Sequence, residues 1–379
     1  MSLKPIREEI DKIDEQLAEL FVKRMECSRK VAEYKIEHGM EVVNRSREDE
    51  VLDSAEKRAG IYGYSARQLY ATILELSRAL QYDMTGGGNR LKNEIYMAEK
   101  TVPTNQNIKL ACFGVEGTYA NHASIKAFPN CQLTFCSTFH DVFSAICSGE
   151  ADFGVVPIEN SSAGAVTEVY DLMLKYRLYI SMAIDIPVNH VLAAKKGSSL
   201  SKITKIYSHH QALYQCSHFF KNYNNIIAQT YISTAAAAKM VSESDDMTIG
   251  AICSEEAAQK YGLEIIKRGF QNNPNNKTRF IFISKKMYIS EKSEKISLCF
   301  SLQHKTGSLY SVLSRFAANG LNLTKIESRP IMGTDFEYLF YLDFTGNIND
   351  KSTLKLICAL SEELTEFSFL GNYEEIFQK

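Results

Sequence analysis

Apolar residues recur at intervals of three and four along the start of the chain. From residue 6 to residue 38 there is neither a glycine nor a proline, while Pro5 precedes the run and Gly39 ends it. At 1.5 Å per residue this predicts a helix about 50 Å long. Its apolar positions form one stripe: Ile6, Ile10, Ile13, Leu17, Leu20 and Phe21. Because the helices predicted next are shorter, we expect the stripe to need a partner, most simply a second copy of the chain.

Two further helices follow in the same segment. The second is predicted to open at Ser46, with a hydroxyl cap and acidic residues in its first turn, and to end near Gly60. The third is predicted to begin with the capping box Ser65-x-x-Gln68. One face of the third helix is apolar: Leu69, Ile73, Leu76 and Leu80.

Polar and cationic residues lie at positions where they can meet. Arg24 and Lys35 are eleven residues apart, so they return to within about 20° of the same helix face. Arg7 lies about 25 Å further back along the axis, but in an antiparallel helical dimer it could reach the Arg24 and Lys35 site of the other chain. Ser77 and Gln81 are four residues apart and could point into the bundle. Taken singly, each cation is more commonly a solvated surface charge.

On these residues, the first 84 or so positions resemble the all-helical chorismate mutase module. The resemblance implies a domain over residues 1–86 that forms an intertwined dimer with two pockets, each completed by Arg7 from the partner chain. The main chain would contribute the remaining chorismate-binding residues: Arg24, Lys35, Asn44, Arg47, Glu48, Ser77 and Gln81. Asn44 stands where the family usually carries an acid; it can still form a hydrogen bond but holds no charge.

The chemistry of that reaction suits these residue types. Chorismate is a dicarboxylate, and its rearrangement needs no proton transfer, covalent intermediate, metal or cofactor. Arginines can grip both carboxylates and hold the reactive conformer. Lys35 and Gln81 would donate to the ether oxygen as negative charge develops there, and Glu48 would hold the substrate hydroxyl.

Composition limits the remaining possibilities. The 379 residues should form two or three domains, and the net charge of −2 with interspersed charges shows no nucleic-acid footprint. The first nine residues contain no apolar leader segment, and no apolar run is long enough to span a membrane. The nine scattered cysteines include no Cys-x-x-Cys pair. We therefore expect a reduced, cytoplasmic protein without a metal or disulfide scaffold.

The pattern changes after residue 107. Residues 87–106 are predicted as a linker, with breaks at 84–89 and 101–107. Strands at 108–113 and 152–157 each end in a loop, and strands, glycine-rich turns and helices alternate to about Ser284. This alternation predicts an α/β domain with its ligands at the carboxyl ends of the strands. A G-x-G-x-x-G motif is missing, which argues against a nucleotide cofactor.

Five loop motifs follow one another in this segment. They are Gly117-Thr118-Tyr119, Pro157-Ile-Glu-Asn160-Ser161, Ser208-His209-x-Gln211, Ser233-Thr234-Ala235 and Lys277-Thr278-Arg279-Phe280. Their order resembles prephenate dehydratase over residues 107–285, which implies two α/β lobes around a cleft, as in periplasmic-binding domains. The family marks Thr278 as catalytic. Prephenate would be bound by the other motif residues: Thr118, Asn160, Ser161, His209, Gln211, Ser233, Thr234, Arg279 and Phe280. Val115 and Lys277 depart from the usual family pattern.

Prephenate must lose carbon dioxide and its ring hydroxyl together as the ring becomes aromatic. Hydroxide is a poor leaving group, so the enzyme must supply a proton or a strong hydrogen bond. We expect Thr278 to donate or relay it; His209 is the alternative acid, or a packing residue of the cleft wall. Arg279 would be an anion clamp or a structural partner. The substrate carboxylates or hydroxyl would be positioned by Asn160, Ser161, Ser233 and Thr234.

The last segment, residues 294–379, alternates as βαββαβ. Strands are predicted at 295–302, 323–331, 336–343 and 367–370, helices at 306–318 and 351–364, and a turn at 332–335. Thr306-Gly307-Ser308-Leu309 and Glu327-Ser328-Arg329-Pro330 resemble an ACT regulatory domain of ferredoxin-like α+β fold. The resemblance implies L-phenylalanine as effector, held near Gly307, Ser308, Leu309, Glu327, Ser328, Arg329 and Pro330. The alternative is a purely structural appendage.

Together the three resemblances predict a multidomain, bifunctional enzyme. It would convert chorismate to prephenate, and prephenate to phenylpyruvate with loss of water and CO2, under feedback inhibition by L-phenylalanine. We expect a homodimer or higher homo-oligomer without nucleic-acid or membrane partners. Two alternatives remain: a catalytically inactive metabolite sensor, and a dehydratase that prefers arogenate, the aminated analogue of prephenate.

Overall fold

The computed structural model describes residues 3–86, 89–104, 107–302, 304–331 and 338–376. The chain folds into two compact units, one of Met1–Met97 with Cys299–Phe367 and one of Ala98–Leu298 with Ser368–Lys379. In the described part of the chain, every helix is too short or too polar to cross a membrane.

Four helices open the first unit. They are α1 (Lys4–Glu37), α2 (Arg45–Arg58), α3 (Gly63–Thr85) and α4 (Asn89–Tyr96). The 34-residue α1 confirms the predicted long helix, and α3 packs against both α1 and α2. The apolar stripe in the first half of α1 stays exposed, with Ile6, Ile10 and Ile13 each 49% accessible. A single chain therefore leaves this stripe uncovered.

The starts of α2 and α3 differ from the prediction. Asn44 rather than Ser46 caps α2, because its side chain accepts a hydrogen bond from the backbone N–H of Arg47. The helix α3 begins at Gly63, directly after a 3₁₀ turn at Gly60–Tyr62, and no side chain caps it. The predicted capping box at Ser65 is therefore wrong, because the tight turn starts the helix two residues earlier.

Strands and helices alternate through the second unit. The elements are β1 (Lys109–Phe113), α5 (Tyr119–Ala127), β2 (Gln132–Cys136), α6 (Phe139–Ser148), β3 (Phe153–Asn160), β4 (Gly164–Ala165), α7 (Thr167–Tyr176), β5 (Tyr179–Pro187), β6 (Val191–Ala194), β7 (Lys205–Ser208), α8 (His210–Gln215), α9 (Ser217–Asn222), β8 (Ile227–Thr230), α10 (Thr234–Glu243), β9 (Ile249–Cys253), α11 (Glu255–Lys260), β10 (Glu264–Arg268) and β11 (Lys277–Ser284).

These elements form two α/β lobes. The first lobe has strands in the order β5-β11-β3-β1-β2, and the second has β10-β6-β9-β7-β8. The chain crosses between the lobes twice, from β5 to β6 and from β10 to β11. The predicted two-lobed α/β architecture is confirmed in this arrangement of the strands.

The central strands β3 and β11 are buried in the first lobe, where Phe153 and Phe282 pack around Phe128. Their antiparallel register shifts between Arg279 and Phe280, which pair with Glu159 and Pro157, so that Ile158 is an extra residue on β3. The shift lies one residue away from the pairing of Thr278 with Asn160. The core thus fixes the two strand ends on which these residues lie.

The C-terminal segment follows the predicted βαββαβ order. Its elements are β12 (Lys295–Ser301), α12 (Ser308–Ala318), β13 (Leu323–Pro330), β14 (Tyr338–Thr345), α13 (Lys351–Glu363) and β15 (Thr365–Ile376), and the strand order is β13-β14-β12-β15. The predicted turn at 332–335 lies outside the described residues. The strand β15 is longer than predicted, because its last residues pair in parallel with β5.

The predicted linker at 87–106 contains the helix α4. Gly86, at φ +73°, ends α3 in the left-handed conformation that favours glycine. Leu91 and Ile95 are four residues apart in α4, and Ile95 is buried where α4 packs against α13. The predicted linker therefore contains an amphipathic helix of eight residues.

Candidate active sites

Lys35 and Gln81 meet between α1 and α3. The Lys35 ammonium donates a hydrogen bond to Oε1 of Gln81 at 3.1 Å and another to the carbonyl of Val42. Burial lowers the pKa of Lys35, and the nearby Glu48 carboxylate opposes this shift. The ammonium and the amide therefore converge at one point, where both can donate hydrogen bonds to a ligand.

Arg24 lies in a buried hydroxyl cluster on the same pair of helices. Its guanidinium donates to Ser28 Oγ at 2.6 Å and to Ser77 Oγ at 3.4 Å, and the two hydroxyls are 3.0 Å apart. Sequence reasoning missed Ser28. Its position one turn after Arg24 on the same helix face was the available signal.

Glu48 of α2 receives a hydrogen bond from Arg78 at 2.6 Å. Sequence reasoning also missed Arg78, which directly follows Ser77 in α3. Burial lowers the pKa of Arg78, but the hydrogen bond to Glu48 and neighbouring carboxylates outweigh it, so the pKa is raised. Arg78 therefore stays charged beside Glu48.

Three of the predicted chorismate-binding residues lie apart from this cluster in the single chain. Arg47 pairs with Glu50 at 2.8 Å on the exposed surface. The side chain of Asn44 caps α2. Arg7 lies in the exposed first half of α1, about 25 Å from Arg24 by helix rise.

Thr278 lies near the start of β11, between Asn160 of β3 and Ile186 of β5. The Asn160 amide donates a hydrogen bond to Thr278 Oγ1 at 2.9 Å. The amide is held in this orientation because its oxygen accepts the backbone N–H groups of Ser162 and Ala163. Since the Thr278 oxygen accepts from Asn160, its own hydrogen can be donated to a ligand.

Ser161 connects the loop after β3 to the start of β11. Its hydroxyl donates to Asn276 Oδ1 at 3.2 Å and accepts from the backbone N–H of Lys277 at 3.0 Å. This bridge fixes the backbone next to Asn160 on one strand and next to Thr278 on the other.

Arg279 forms structural ion pairs. Side chains alternate along a strand, so Arg279 and Thr278 point to opposite faces of the sheet. Its guanidinium binds both carboxylate oxygens of Asp185, at 2.8 and 3.3 Å, and Glu375 at 3.0 Å. Burial raises the pKa of Asp185, but the hydrogen bond and charge of Arg279 outweigh it, so the pKa is lowered. Of the two predicted roles, the structure favours the structural partner over the anion clamp.

Phe280 belongs to the hydrophobic core of the first lobe, where it is 3% exposed. Its predicted contact with prephenate is therefore replaced by packing. The residue follows the pattern of a buried strand, and the family motif placed it next to the site only in sequence.

The second-lobe residues lie at the carboxyl ends of parallel strands. His209 and Gln211 follow β7, and Ser233 and Thr234 follow β8. Ser233 caps α10 by accepting the backbone N–H of Ala236. In the first lobe, Thr118 caps α5 after β1 in the same way. Each capped helix has its amino-terminal end at the carboxyl edge of its sheet. The partial positive charge of a helix amino-terminal end favours carboxylates there.

His209 is half-buried, and this weakens its case as the catalytic acid. Burial, followed by the charge of the adjacent His210, lowers the pKa of His209 from its ordinary value of 6.5. The ring is therefore mostly neutral near pH 7, and a neutral imidazole is a very weak acid. This environment favours Thr278 as the donor.

The loop before α5 contacts the second lobe. Gly117 has φ +87°, and a Cβ there would lie 3.3 Å from the Ala257 backbone. Ser254 Oγ donates to the Gly117 carbonyl at 3.2 Å, and Tyr119 donates to the Asn189 carbonyl at 3.1 Å. The glycine motif thus serves a close approach between lobes, a role that sequence reasoning missed.

His190 lies in the first crossing between the lobes, and sequence reasoning also missed it. It is buried, and its Nε2 lies 3.0 Å from Gln215 Oε1. Burial lowers the pKa of His190, so the ring is neutral near pH 7 and joins the crossing segment to α8 by a hydrogen bond.

Comparison with known proteins assigns both parts of the chain. Residues 6–82 match the family described as chorismate mutase type II, and residues 110–288 match the family described as prephenate dehydratase. The bifunctional chorismate mutase/prephenate dehydratase of Aquifex aeolicus is 31% identical over 380 residues, covering 98% of this chain and 97% of that protein.

Two further relatives each match about 70% of the chain. Arogenate dehydratase/prephenate dehydratase 1 of Arabidopsis thaliana is 36% identical over 287 residues, or 71% of this chain and 72% of that protein. The structure of prephenate dehydratase from Arthrobacter aurescens in complex with L-Phe is 30% identical, with a TM-score of 0.65 over 70% of this chain and 90% of that one. Because the Aquifex relative matches almost end to end, the chain belongs to the bifunctional chorismate mutase/prephenate dehydratase family and converts chorismate to prephenate and prephenate to phenylpyruvate.

Proposed function

We propose that chorismate rearranges where Lys35, Gln81, Arg24 and Glu48 converge. The contact between Lys35 and Gln81 carries this assignment, because it brings two donors to the point where the ether oxygen gains negative charge. Arg24 binds a substrate carboxylate, and Glu48 accepts the substrate hydroxyl. The carbon–oxygen bond breaks and the new carbon–carbon bond forms within one bound conformer, without proton transfer.

We propose that a second copy of the chain completes each mutase site with its Arg7. The exposed stripe on the first half of α1 supports this, because it runs through Ile6, Ile10 and Ile13 and a monomer would leave it in water. A partner α1 packed along the stripe would bury it and carry Arg7 to the far site. The protein is then a homodimer in which neither chain has a complete mutase site.

Mixing two inactive variants tests this shared site. Arg7→Ala and Lys35→Ala proteins, each without mutase activity, are unfolded together and refolded as a mixture. Random pairing makes half of the dimers heterodimers, and each heterodimer has one intact site and one doubly altered site. We expect recovery of about one quarter of the wild-type mutase activity. A mixture that stays inactive, although wild type refolds with activity, would place Arg7 and Lys35 in the same chain's site.

For the dehydratase we propose that Thr278 donates its hydrogen bond to the departing ring hydroxyl of prephenate. The hydrogen bond from Asn160 to Thr278 carries this assignment, since it orients the Thr278 hydrogen away from Asn160. As the carbon–oxygen bond breaks, the hydroxyl takes up a proton that Thr278 relays from solvent, and it leaves as water while the Thr278 hydroxyl is restored. The electrons of the breaking bond to the carboxylate enter the ring, which becomes aromatic, and CO2 is released.

Prephenate is bound, in this proposal, by the polar residues at the strand ends. Asn160 and Ser161 lie beside Thr278, and the capped amino-terminal ends of α5 and α10 suit its two carboxylates. His209 and Gln211 contribute to the cleft wall from the second lobe. Arogenate differs from prephenate in one substituent, so the choice between them is an outcome of the dehydratase assay described below.

We further propose that residues 294–379 are an ACT regulatory domain that binds L-phenylalanine. The βαββαβ order and the strand order β13-β14-β12-β15 support the fold. The relative from Arthrobacter aurescens, solved in complex with L-Phe, supports the ligand. The effector would lie between the loop at Gly307, where φ is +85°, and the end of β13 at Glu327–Pro330.

Nine free cysteines also fit a reducing, cytoplasmic location.

Replacing Glu327 tests the effector site. In Glu327→Ala we expect the L-phenylalanine concentration for half-inhibition to rise by about tenfold to about 100-fold, because a charged hydrogen bond to the effector is worth about 1.5 to 3 kcal/mol. Inhibition of phenylpyruvate formation is measured across a phenylalanine titration. Glu294→Ala, which removes an exposed acid just before β12, is the matched control. An inhibition curve identical to that of wild type would exclude Glu327 from the site.

A further inference from the structure

A chain of ion pairs runs from the mutase site into the C-terminal segment. Arg78 of α3 binds Glu48 at 2.6 Å through one terminal nitrogen, and its Nε lies 3.7 Å from Glu363 at the end of α13. Arg315 of α12 binds both oxygens of Glu363, at 2.9 and 3.3 Å. The order of charges is therefore Glu48, Arg78, Glu363, Arg315, with opposite signs at every step.

These four side chains are held away from solvent. Glu48 and Arg78 are 22% and 17% exposed, and Glu363 and Arg315 are 12% and 10% exposed. Exposed ion pairs exchange partners easily, whereas buried pairs are restricted to geometries that satisfy every charge. Replacing one member of the chain should therefore disturb its neighbours.

A second polar contact fixes α3 on the same side. Ser311 of α12 donates a hydrogen bond to Glu75, one turn before Arg78. Burial raises the pKa of Glu75, partly offset by this hydrogen bond and by Arg78 and Arg315. The face of α3 that carries Glu75 and Arg78 is thus bound by both C-terminal helices, and the same helix carries Ser77 and Gln81.

We propose that Arg78 is a positioning residue for the mutase and that Glu363 of α13 acts through it on Glu48. Glu48 has two cations within reach, Lys35 in the pocket and Arg78 beside it. Glu363 holds the Arg78 guanidinium so that one nitrogen is aimed at Glu48, which fixes the carboxylate that accepts the substrate hydroxyl. The C-terminal segment thereby contributes to the mutase reaction without touching substrate. This inference rests on the proposed role of Glu48.

Kinetics of charge-removing variants test the inference. In Glu363→Gln we expect the mutase kcat/KM to fall by about tenfold to about 100-fold, the usual cost of misplacing a substrate-binding group. In Arg78→Lys we expect kcat/KM to fall by a comparable factor, because an ammonium can hold one carboxylate but cannot fork between two. Lys355→Met is the matched control, since it breaks the exposed 2.8 Å pair between α13 and Asp83 of α3. Dehydratase activity and thermal unfolding, measured on the same samples, show that each variant is folded.

The Glu48→Gln background separates positioning from general stability. If Glu363 acts through Glu48, adding Glu363→Gln to Glu48→Gln costs nothing further in kcat/KM. The inference would be overturned if Glu363→Gln lowered kcat/KM by the same factor in the wild-type and Glu48→Gln backgrounds, or if the Glu363→Gln enzyme were as active as Lys355→Met. Either result would leave the proposed site intact. An unchanged mutase in Glu48→Gln alone would instead remove Glu48 from the proposed site, and the inference with it.

Discussion

Replacing Lys35 by alanine is expected to abolish the mutase and leave the dehydratase intact. Lys35 and Gln81 are the two donors that converge between α1 and α3, and removing one donor from such a site costs about 10²- to 10³-fold in kcat. Prephenate formation from chorismate is the measurement, with phenylpyruvate formation from supplied prephenate as the second readout.

Arg29→Ala is the matched control for Lys35→Ala. Arg29 lies on the same helix but pairs with Glu26 and Glu33 on the exposed surface, so both activities should remain at the wild-type level. Mutase activity within about twofold of wild type in Lys35→Ala would contradict the assignment. Loss of both activities in a folded protein would contradict independent sites.

Replacing Thr278 by alanine is expected to stop the reaction at prephenate. A positioned proton donor contributes about 10²- to 10⁴-fold, so phenylpyruvate formation should fall by that factor while the mutase is unchanged. Thr278→Ser keeps the hydroxyl that Asn160 orients and should retain much of the activity. The assay supplies prephenate and arogenate separately, because the substrate that wild type turns over faster identifies its preference.

Thr134→Ala is the control for Thr278→Ala. Thr134 lies on β2 of the same sheet, is exposed, and pairs with Ala111 of β1, away from the two strand ends at Asn160 and Thr278. Unchanged phenylpyruvate formation in Thr278→Ala would assign Thr278 a packing role only. His209 would then be the proton donor to test. Because only its protonated ring could donate, phenylpyruvate formation should be lost as the pH rises above the lowered pKa of His209.

The long helix α1 and the strand ends of the dehydratase lobes could be predicted from the sequence because their signals are local. Spacing alone defines the stripe of α1, and motifs mark Thr278 and Asn160. The starts of the helices were harder to predict. Asn44 and Ser46 are both residue types that cap helices well, and the path of the chain before α2 decides between them.

Residues whose partners are distant in sequence were harder to predict. Arg279 is adjacent to Thr278, yet the alternation of a strand turns it to Asp185 on the opposite face. Arg78 belongs to no motif, and its partners Glu48 and Glu363 come from two other helices. Such ion pairs depend on how elements pack, which a local pattern does not encode.

Chorismate turnover by the purified full chain tests the central claim, that one polypeptide carries both activities, most directly. Prephenate and phenylpyruvate are assayed separately, and samples are kept alkaline because acid converts prephenate without an enzyme. We expect wild type to form prephenate and then phenylpyruvate, and Thr278→Ala to accumulate prephenate. Lys35→Ala should form neither product from chorismate, but it should still form phenylpyruvate when prephenate is supplied. Wild-type protein that is folded and forms neither product would contradict the claim and favour a metabolite sensor.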